Sequence, residues 1–215
     1  MILTLVLQGT RCMLEHLFNK AGCDKASKHN YHKVYEPEFD TIRNDPINIL
    51  EVGVFRGDSI KAWLEFFPNA TIYGIDIFKR VKPEDIPVLN DERVKYLKSD
   101  STNIAVRDQI KKTWPRIRFD VIIDDGLHTP NANAKTLHNL YPLLKKGGRF
   151  YIEDVWPLDI MTTEEMNHWW IQKHSDRYNI LQMNNFLAEL DGKNIKRFDL
   201  RKESGEPDSY IIRVQ

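Results

Sequence analysis

Cysteine is scarce in this chain: its 215 residues include only Cys12 and Cys23. Two thiols in a protein of this size suit a reducing compartment better than a disulfide framework, and they show no zinc-type spacing. Long apolar runs are missing as well. The longest early one, Ile2 to Leu7, is interrupted by Thr4 and lacks a basic leader, so it is too short to span a bilayer or serve as a secretion signal. A cytoplasmic protein with no membrane partner is expected. An excess of either charge is also absent, since Lys+Arg and Asp+Glu both total 31. The basic residues are dispersed rather than gathered in a stripe, which argues against nucleic acid as a partner. No repeat or low-complexity tract hints at a second unit, and 41% hydrophobic content suffices for one sizeable core.

From residue 47 onward, short β-rich runs alternate with helical segments, the pattern of an α/β protein whose parallel sheet is covered on both faces. Strands are expected at Asn48 to Val52, Thr71 to Asp76, Val94 to Ser99, Phe119 to Asp124 and Arg149 to Glu153. Others fall at Ile180 to Met183 or Ile195 to Leu200, and at Ser209 to Val214. Ile60, Trp63, Leu64 and Phe67 recur at helical spacing behind Asp58 and Ser59 as caps. A second helix opens at Thr129 and Pro130, carries Leu137, Leu140, Tyr141 and Leu144 on one face, bends at Pro142 and stops at Gly147 and Gly148. Residues 1–46 read as a short helix around Met13 to Lys20 and a flap, DKASKHNYHKVYEPEF, over the sheet's carboxyl edge; residues 47–215 form the main unit.

In ILEVGVFRG, Gly53 and Gly57 fall in the turn after the first strand, where a missing side chain lets a ligand approach the backbone. Val54, Phe55 and Arg56 separate them, so the spacing is not the G-x-G-x-x-G of pyrophosphate binders. Glu51 precedes the turn, and Asp76 ends the second strand 19 residues after Gly57, where a carboxylate accepts ribose hydroxyls. A nucleoside without phosphates fits this pattern; a plain tight turn with Asp76 capping a loop is the alternative.

The fourth strand ends in Asp124 and Asp125 and the fifth in Glu153 and Asp154. If those strands are neighbours, four acids converge, each raising the others' pKa unless a cation compensates. All-oxygen ligation selects Mg²⁺, with Mn²⁺ or Ca²⁺ as alternatives, over zinc. His128 lies just before Thr129 and Pro130. A helix N-terminus there would lower its pKa and keep it neutral, able to take a proton from a hydroxyl while a metal stabilises the alkoxide. Beyond the acids, Trp156, Trp169 and Trp170 suit the apolar face of a hydroxylated ring, or else core contacts.

Taken in order, ILEVGVFRG, YGIDIF, KSDST and FDVIID resemble the successive motifs of class I S-adenosylmethionine-dependent methyltransferases over residues 47 to 155. The resemblance implies a Rossmann-like α/β fold with a mostly parallel, seven-stranded sheet whose last strand is antiparallel. It places Glu51, Gly53, Val54 and Gly57 along the methionine part, Asp76 and Ile77 at the ribose, Ser99, Asp100 and Ser101 about the adenine, and Asp124 beside them. More narrowly, IIDDGLH, LLKKGG and YIEDVW resemble the metal-dependent macrolide-sugar O-methyltransferases of mycinamicin and tylosin type and the related cephalosporin-hydroxylase-like proteins. That similarity implies Asp125, Glu153 and Asp154 as Mg²⁺ ligands, His128 as catalytic base, and Tyr31 and Tyr35, with Asp24, Lys25 and His29, in a segment closing over S-adenosylmethionine. Leu127 stands where that family usually has serine. An additional N-terminal domain of some macrolide enzymes is not expected here, which points away from a macrolide acceptor.

The expected function is therefore Mg²⁺-dependent methylation of a hydroxyl on a sugar or glycosylated small molecule, by a homo-oligomer. Metal-dependent oxidation and a non-catalytic nucleoside-binding subunit are the alternatives.

Overall fold

The computed structural model describes residues 12–215; the apolar run Ile2 to Leu7 lies outside them. The elements run α1 (Met13–Ala21), α2 (Asp24–Ser27), α3 (His32–Phe39), β1 (Asn48–Val52), α4 (Asp58–Phe66), β2 (Thr71–Asp76), β3 (Val94–Lys98) and α5 (Val106–Thr113). They continue with β4 (Phe119–Asp124), α6 (Pro130–Leu140), β5 (Leu144–Ile152), α7 (Thr163–Met166), α8 (Trp169–Lys173), α9 (Ile180–Glu189), β6 (Ile195–Asp199), α10 (Arg201–Ser204) and β7 (Tyr210–Val214).

The seven strands form one sheet in the order β3-β2-β1-β4-β5-β7-β6. β3 through β5 pair in parallel, and β7 lies antiparallel between β5 and β6. Strand order reverses between β1 and β4, the switch point at which open α/β sheets bind ligands outside the carboxyl ends of their strands. The central strands are apolar on both faces, as a sheet covered by helices requires. Ile49, Val121, Ile123 and Tyr151 pack beneath α1, α3 and α4, while Leu50, Ile122, Phe150 and Ile152 pack beneath α6 and α9.

The expected flap is a small helical layer. α1 ends at Gly22, whose left-handed φ of 76° lets Cys23 N–H reach the Phe18 carbonyl at 2.9 Å and turns the chain into α2. Phe18 meets Trp63 of α4 edge-on at 5.0 Å, and Tyr35 of α3 packs against Trp63 and Tyr151. These aromatic contacts fix α2, only four residues long, above the strand tips.

Several boundaries differ from the sequence reading for identifiable reasons. Gly57, with φ 73°, caps α4, and the Ser59 hydroxyl instead donates to Glu51 at 2.9 Å. α6 stops at Leu140 rather than at Gly147 because Pro142 cannot continue it. Residues Tyr141–Leu143 tighten into a 3₁₀ turn, and Arg107 of α5 takes the carbonyls of His138 and Asn139. Leu144 therefore already belongs to β5. Ile180 to Met183 is the start of a helix, not a strand: Asn179 caps it through Gln182 N–H, and Met183 and Phe186 form its buried face. Ile195 to Asp199 is the strand. The segment from Thr163 to Lys173 forms two short helices, α7 and α8, parted at Asn167 and His168, and the His168 Nδ1 accepts from Trp170 N–H.

Candidate active site

β4 and β5 are neighbours, with Asp124 paired to Ile152 and Glu153 N–H donating to the Asp124 carbonyl at 3.0 Å. The two acidic motifs accordingly meet at one edge. Asp125 N–H binds the Val52 carbonyl at 3.0 Å, which draws the DDG turn against the tip of β1. Gly53, at φ 90°, makes that approach: a Cβ there would sit 2.0 Å from the Asp125 carbonyl oxygen. Its bareness thus serves the junction between two strand tips, a reason the sequence reading did not supply.

Asp125, His128 and Asp154 each offer one ligand atom, all within 4.8 Å of one another. His128 Nε2 lies 3.6 Å from Asp125 Oδ1 and 3.8 Å from Asp154 Oδ2. Both His128 and Asp154 hold left-handed backbone, at φ 59° and 51°. Phe55 and Phe78, in the turns after β1 and β2, share that conformation at φ 48° and 49°. Non-glycine residues adopt it at a cost, and such strain clusters at functional sites.

Glu153 is placed differently from Asp154. It is buried and receives the Tyr35 hydroxyl on Oε1 and the Lys25 ammonium on Oε2. Lys25, from α2, is itself buried; its Nζ also contacts Asp125 Oδ2 at 2.6 Å and Glu51 Oε1 at 3.7 Å. Tyr31 donates to Asp154 Oδ1 at 2.6 Å and accepts from the same residue's N–H at 3.1 Å. His29 hydrogen-bonds Ser209 through Nδ1 at 2.8 Å and lies 3.7 Å from Asp154 Oδ1. Tyr31 and Tyr35 are thus buried braces of the acids. Sequence reasoning placed Lys25 only in the segment closing over the cofactor and missed its central position among the acids. Its only signal was its place in the DK segment, since nothing in the local pattern marks a lysine as buried.

The electrostatics follow from enclosure. Burial pushes Asp124 and Glu51 each up to about 7, and each keeps one buried oxygen without a hydrogen-bond partner. Burial opposes the charge on Lys25, but Asp125, Glu153 and Glu51 outweigh it and hold the ammonium protonated. His128 departs from the sequence expectation of a lowered pKa. Burial does push it down, but the carboxylates of Asp154, Asp125 and Asp124 prevail and raise it. It precedes the cap Thr129 rather than joining α6, so nearby full charges exceed the helix's partial one. For Asp154, burial is outweighed by His128, His29 and the Tyr31 hydroxyl, and its pKa falls.

The nucleoside-type residues line the same edge. Asp76 Oδ2 accepts Val54 and Phe55 N–H at 2.8 and 3.0 Å, and Oδ1 accepts Phe78 N–H at 2.6 Å. The carboxylate therefore orders the glycine turn, with about one of its four acceptor positions left. Ile77 is exposed just beyond it. Gly57 lies against Val88, where a Cβ would come within 2.5 Å of Cγ1. Ser99 bonds Gln109, and Asp100 is exposed and accepts from Thr102. Ser101 turns inward to Thr136. A groove of about 530 Å³, lined by Met161, His168, Asp199, Arg201 and Pro207 among others, opens beyond β6 on this same edge.

A profile of a family described as a methyltransferase domain matches residues 44–198. The chain belongs to that family. This methyltransferase domain is 32% identical over 130 residues to the mycinamicin VI 2''-O-methyltransferase of Micromonospora griseorubida, covering 57% of this chain and 30% of that protein. It is 29% identical to the 8-demethyl-8-(2-methoxy-alpha-L-rhamnosyl)-tetracenomycin-C 3'-O-methyltransferase of Streptomyces olivaceus, covering 60% of this chain and 33% of the relative. The chain thus spans about a third of the length of these curated relatives. Among solved structures, MycE methyltransferase of the mycinamycin pathway, in complex with Mg and SAH, superposes with a TM-score of 0.67 at 22% identity, covering 94% of this chain and 54% of that one. The fibrillarin pre-rRNA processing protein of Methanococcus jannaschii shares the fold at a TM-score of 0.54 and 20% identity, over 80% and 66% of the two chains. The methyltransferase domain has the Rossmann-like, seven-stranded arrangement that the motifs implied, and its resemblance to macrolide-sugar O-methyltransferases stands.

Proposed function

We propose that the chain transfers the methyl group of S-adenosylmethionine to a hydroxyl of a sugar or glycosylated small molecule, in an Mg²⁺-dependent reaction. The observation that carries this reading is the convergence of Asp125, His128 and Asp154 beside the glycine turn of β1, at the sheet's switch point. The similarity to O-methyltransferases of mycinamicin VI and of a rhamnosyl-tetracenomycin supports the acceptor class.

The donor set fits a hard divalent ion: carboxylate oxygens of Asp125 and Asp154 point to one space, and the half-buried site carries an excess of negative charge. Asp125 and Asp154 would hold the ion, with Glu153 adjoining. When bound, S-adenosylmethionine supplies an electrophilic methyl on a sulfonium, and the ion supplies charge that steadies an alkoxide. Gly53, Val54 and Gly57 would seat the methionine portion, Asp76 and Ile77 the ribose, and Ser99 and Asp100 the adenine. Tyr31 and Tyr35 keep Asp154 and Glu153 in place.

His128 would take the proton of the acceptor hydroxyl at Nε2, leaving the oxygen able to attack. Its proton affinity follows the charge on Asp125 and Asp154 and falls when those carboxylates are neutralised. The groove beyond β6 would receive the body of the acceptor. The division into an N-terminal part, residues 1–46, that carries the cofactor-covering flap, and a methyltransferase unit over 47–215 belongs to the same proposal. So does a cytoplasmic homo-oligomer without nucleic-acid or membrane partners, checked by fractionation and analytical ultracentrifugation.

The test is methyl transfer to sugar acceptors, with calorimetry of S-adenosylhomocysteine binding with and without Mg²⁺. Chelator is expected to abolish turnover, and His128→Ala to lower it by about 10²–10⁴-fold while leaving S-adenosylhomocysteine binding intact. Turnover indifferent to both would reject the mechanism. Oxygen uptake without release of S-adenosylhomocysteine would instead favour metal-dependent oxidation.

A further inference from the structure

The site already contains a cation of its own. Lys25 has 2% of its surface exposed, and its ammonium touches Asp125 Oδ2 and Glu153 Oε2 and lies 3.7 Å from Glu51 Oε1. Asp125 is thus divided: Oδ2 faces the lysine, and Oδ1 faces His128 and the space shared with Asp154. Glu51 Oε1, buried and without a hydrogen-bond partner, also faces this ammonium. A buried lysine costs several kcal/mol of desolvation and persists only where partners compensate it; here three carboxylates from three strand tips do so.

We propose that Lys25 is a resident counter-ion that holds the acid cluster together in the metal-free protein and opposes the divalent ion for the charge of Asp125 and Glu153. Two consequences follow from Coulomb's law at these separations. Without the ammonium, Asp125, Glu153 and Glu51 repel one another and the metal-free fold weakens. The same loss removes a positive charge adjacent to the divalent ion, which then binds more tightly. α2 carries Lys25, so the helical layer takes part in setting the affinity of a site built from the strands. Lys25 is a positioning residue in this scheme and does not touch the acceptor.

The inference rests on the metal reading given above, and the experiment separates the two. Mn²⁺ binding is measured by titration calorimetry and by electron paramagnetic resonance, and unfolding by heat with and without Mn²⁺, in the wild type, Lys25→Met and Lys25→Arg. Lys25→Met is expected to melt earlier than wild type without metal, to bind Mn²⁺ at least about tenfold more tightly, and to gain more stability from the ion. Lys25→Arg, which keeps the charge, is expected to bind Mn²⁺ within about threefold of wild type. Weaker or unchanged Mn²⁺ affinity in Lys25→Met, with the wild type binding normally, overturns this inference alone. No Mn²⁺ binding by any of the three overturns the metal reading with it. Should Lys25→Met fail to fold, refolding in millimolar Mn²⁺ is expected to recover soluble protein, the ion taking the ammonium's place; failure there too counts against the proposal.

Discussion

Glu51 shows how one residue can record the state of the whole edge. It is fully enclosed, bonded to Ser59 through one oxygen and facing Lys25 with the other, and burial lifts it to about 7. A carboxyl whose folded pKa is raised binds its proton more firmly in the folded state. Its contribution to stability is therefore complete below the ordinary value of 4.5 and is lost as pH rises through about 7. Glu51→Gln, which cannot ionise, is expected to flatten the dependence of metal-free stability on pH between those values, as read from urea unfolding at a series of pH values. An unaltered slope would mean that Glu51 is not the group titrating. At this scale the sequence was informative about charge and less so about partners. Asp125, His128 and Asp154 were readable from DDGLH and ED because they lie at strand ends, where topology makes side chains meet. Lys25, and the amide contacts of Asp76, depend on segments 100 and 22 residues away in sequence, which no local pattern encodes.

At the scale of elements, the helical layer is what presses α2 onto the strand tips. Phe18 of α1 is wholly buried, edge-on to Trp63 of α4, whose other neighbours include Tyr35 and Phe39 of α3. Phe18→Ala is expected to cost about 3–5 kcal/mol in denaturant unfolding. The loss should also increase proteolytic cleavage within α1 to α3 before the sheet itself opens, since those helices rely on that seam. The central strands were legible because both of their faces are apolar, and α4 and α6 because their apolar positions recur at helical spacing. The failures have equally local causes. Ile180 and Leu181 look like strand residues, but both are exposed and the burial of Met183 and Phe186 decides for a helix. Glycines 147 and 148 resemble a helix stop but lie inside β5, because Pro142 had already ended α6.

For the molecule as a whole, the alternation of elements was sufficient to give an α/β sheet, and the antiparallel end came from the motif resemblance. What remained hidden was how tightly the carboxyl edge is closed by its own atoms. Phe55, Phe78, His128 and Asp154 all sit in left-handed backbone around that edge, each at a cost of about 1–2 kcal/mol. Against a total of roughly 5–15 kcal/mol for an average domain, this is a sizeable share. Phe55→Gly, at a half-exposed site with φ 48°, is expected to raise the melting temperature by about 1–3 °C while weakening S-adenosylhomocysteine binding. Calorimetry on that one variant would report both quantities. A breeder who selected this protein for heat resistance alone would thus be steered toward sturdier molecules with an idle rim, and would need a second screen, for work done, to keep it honest.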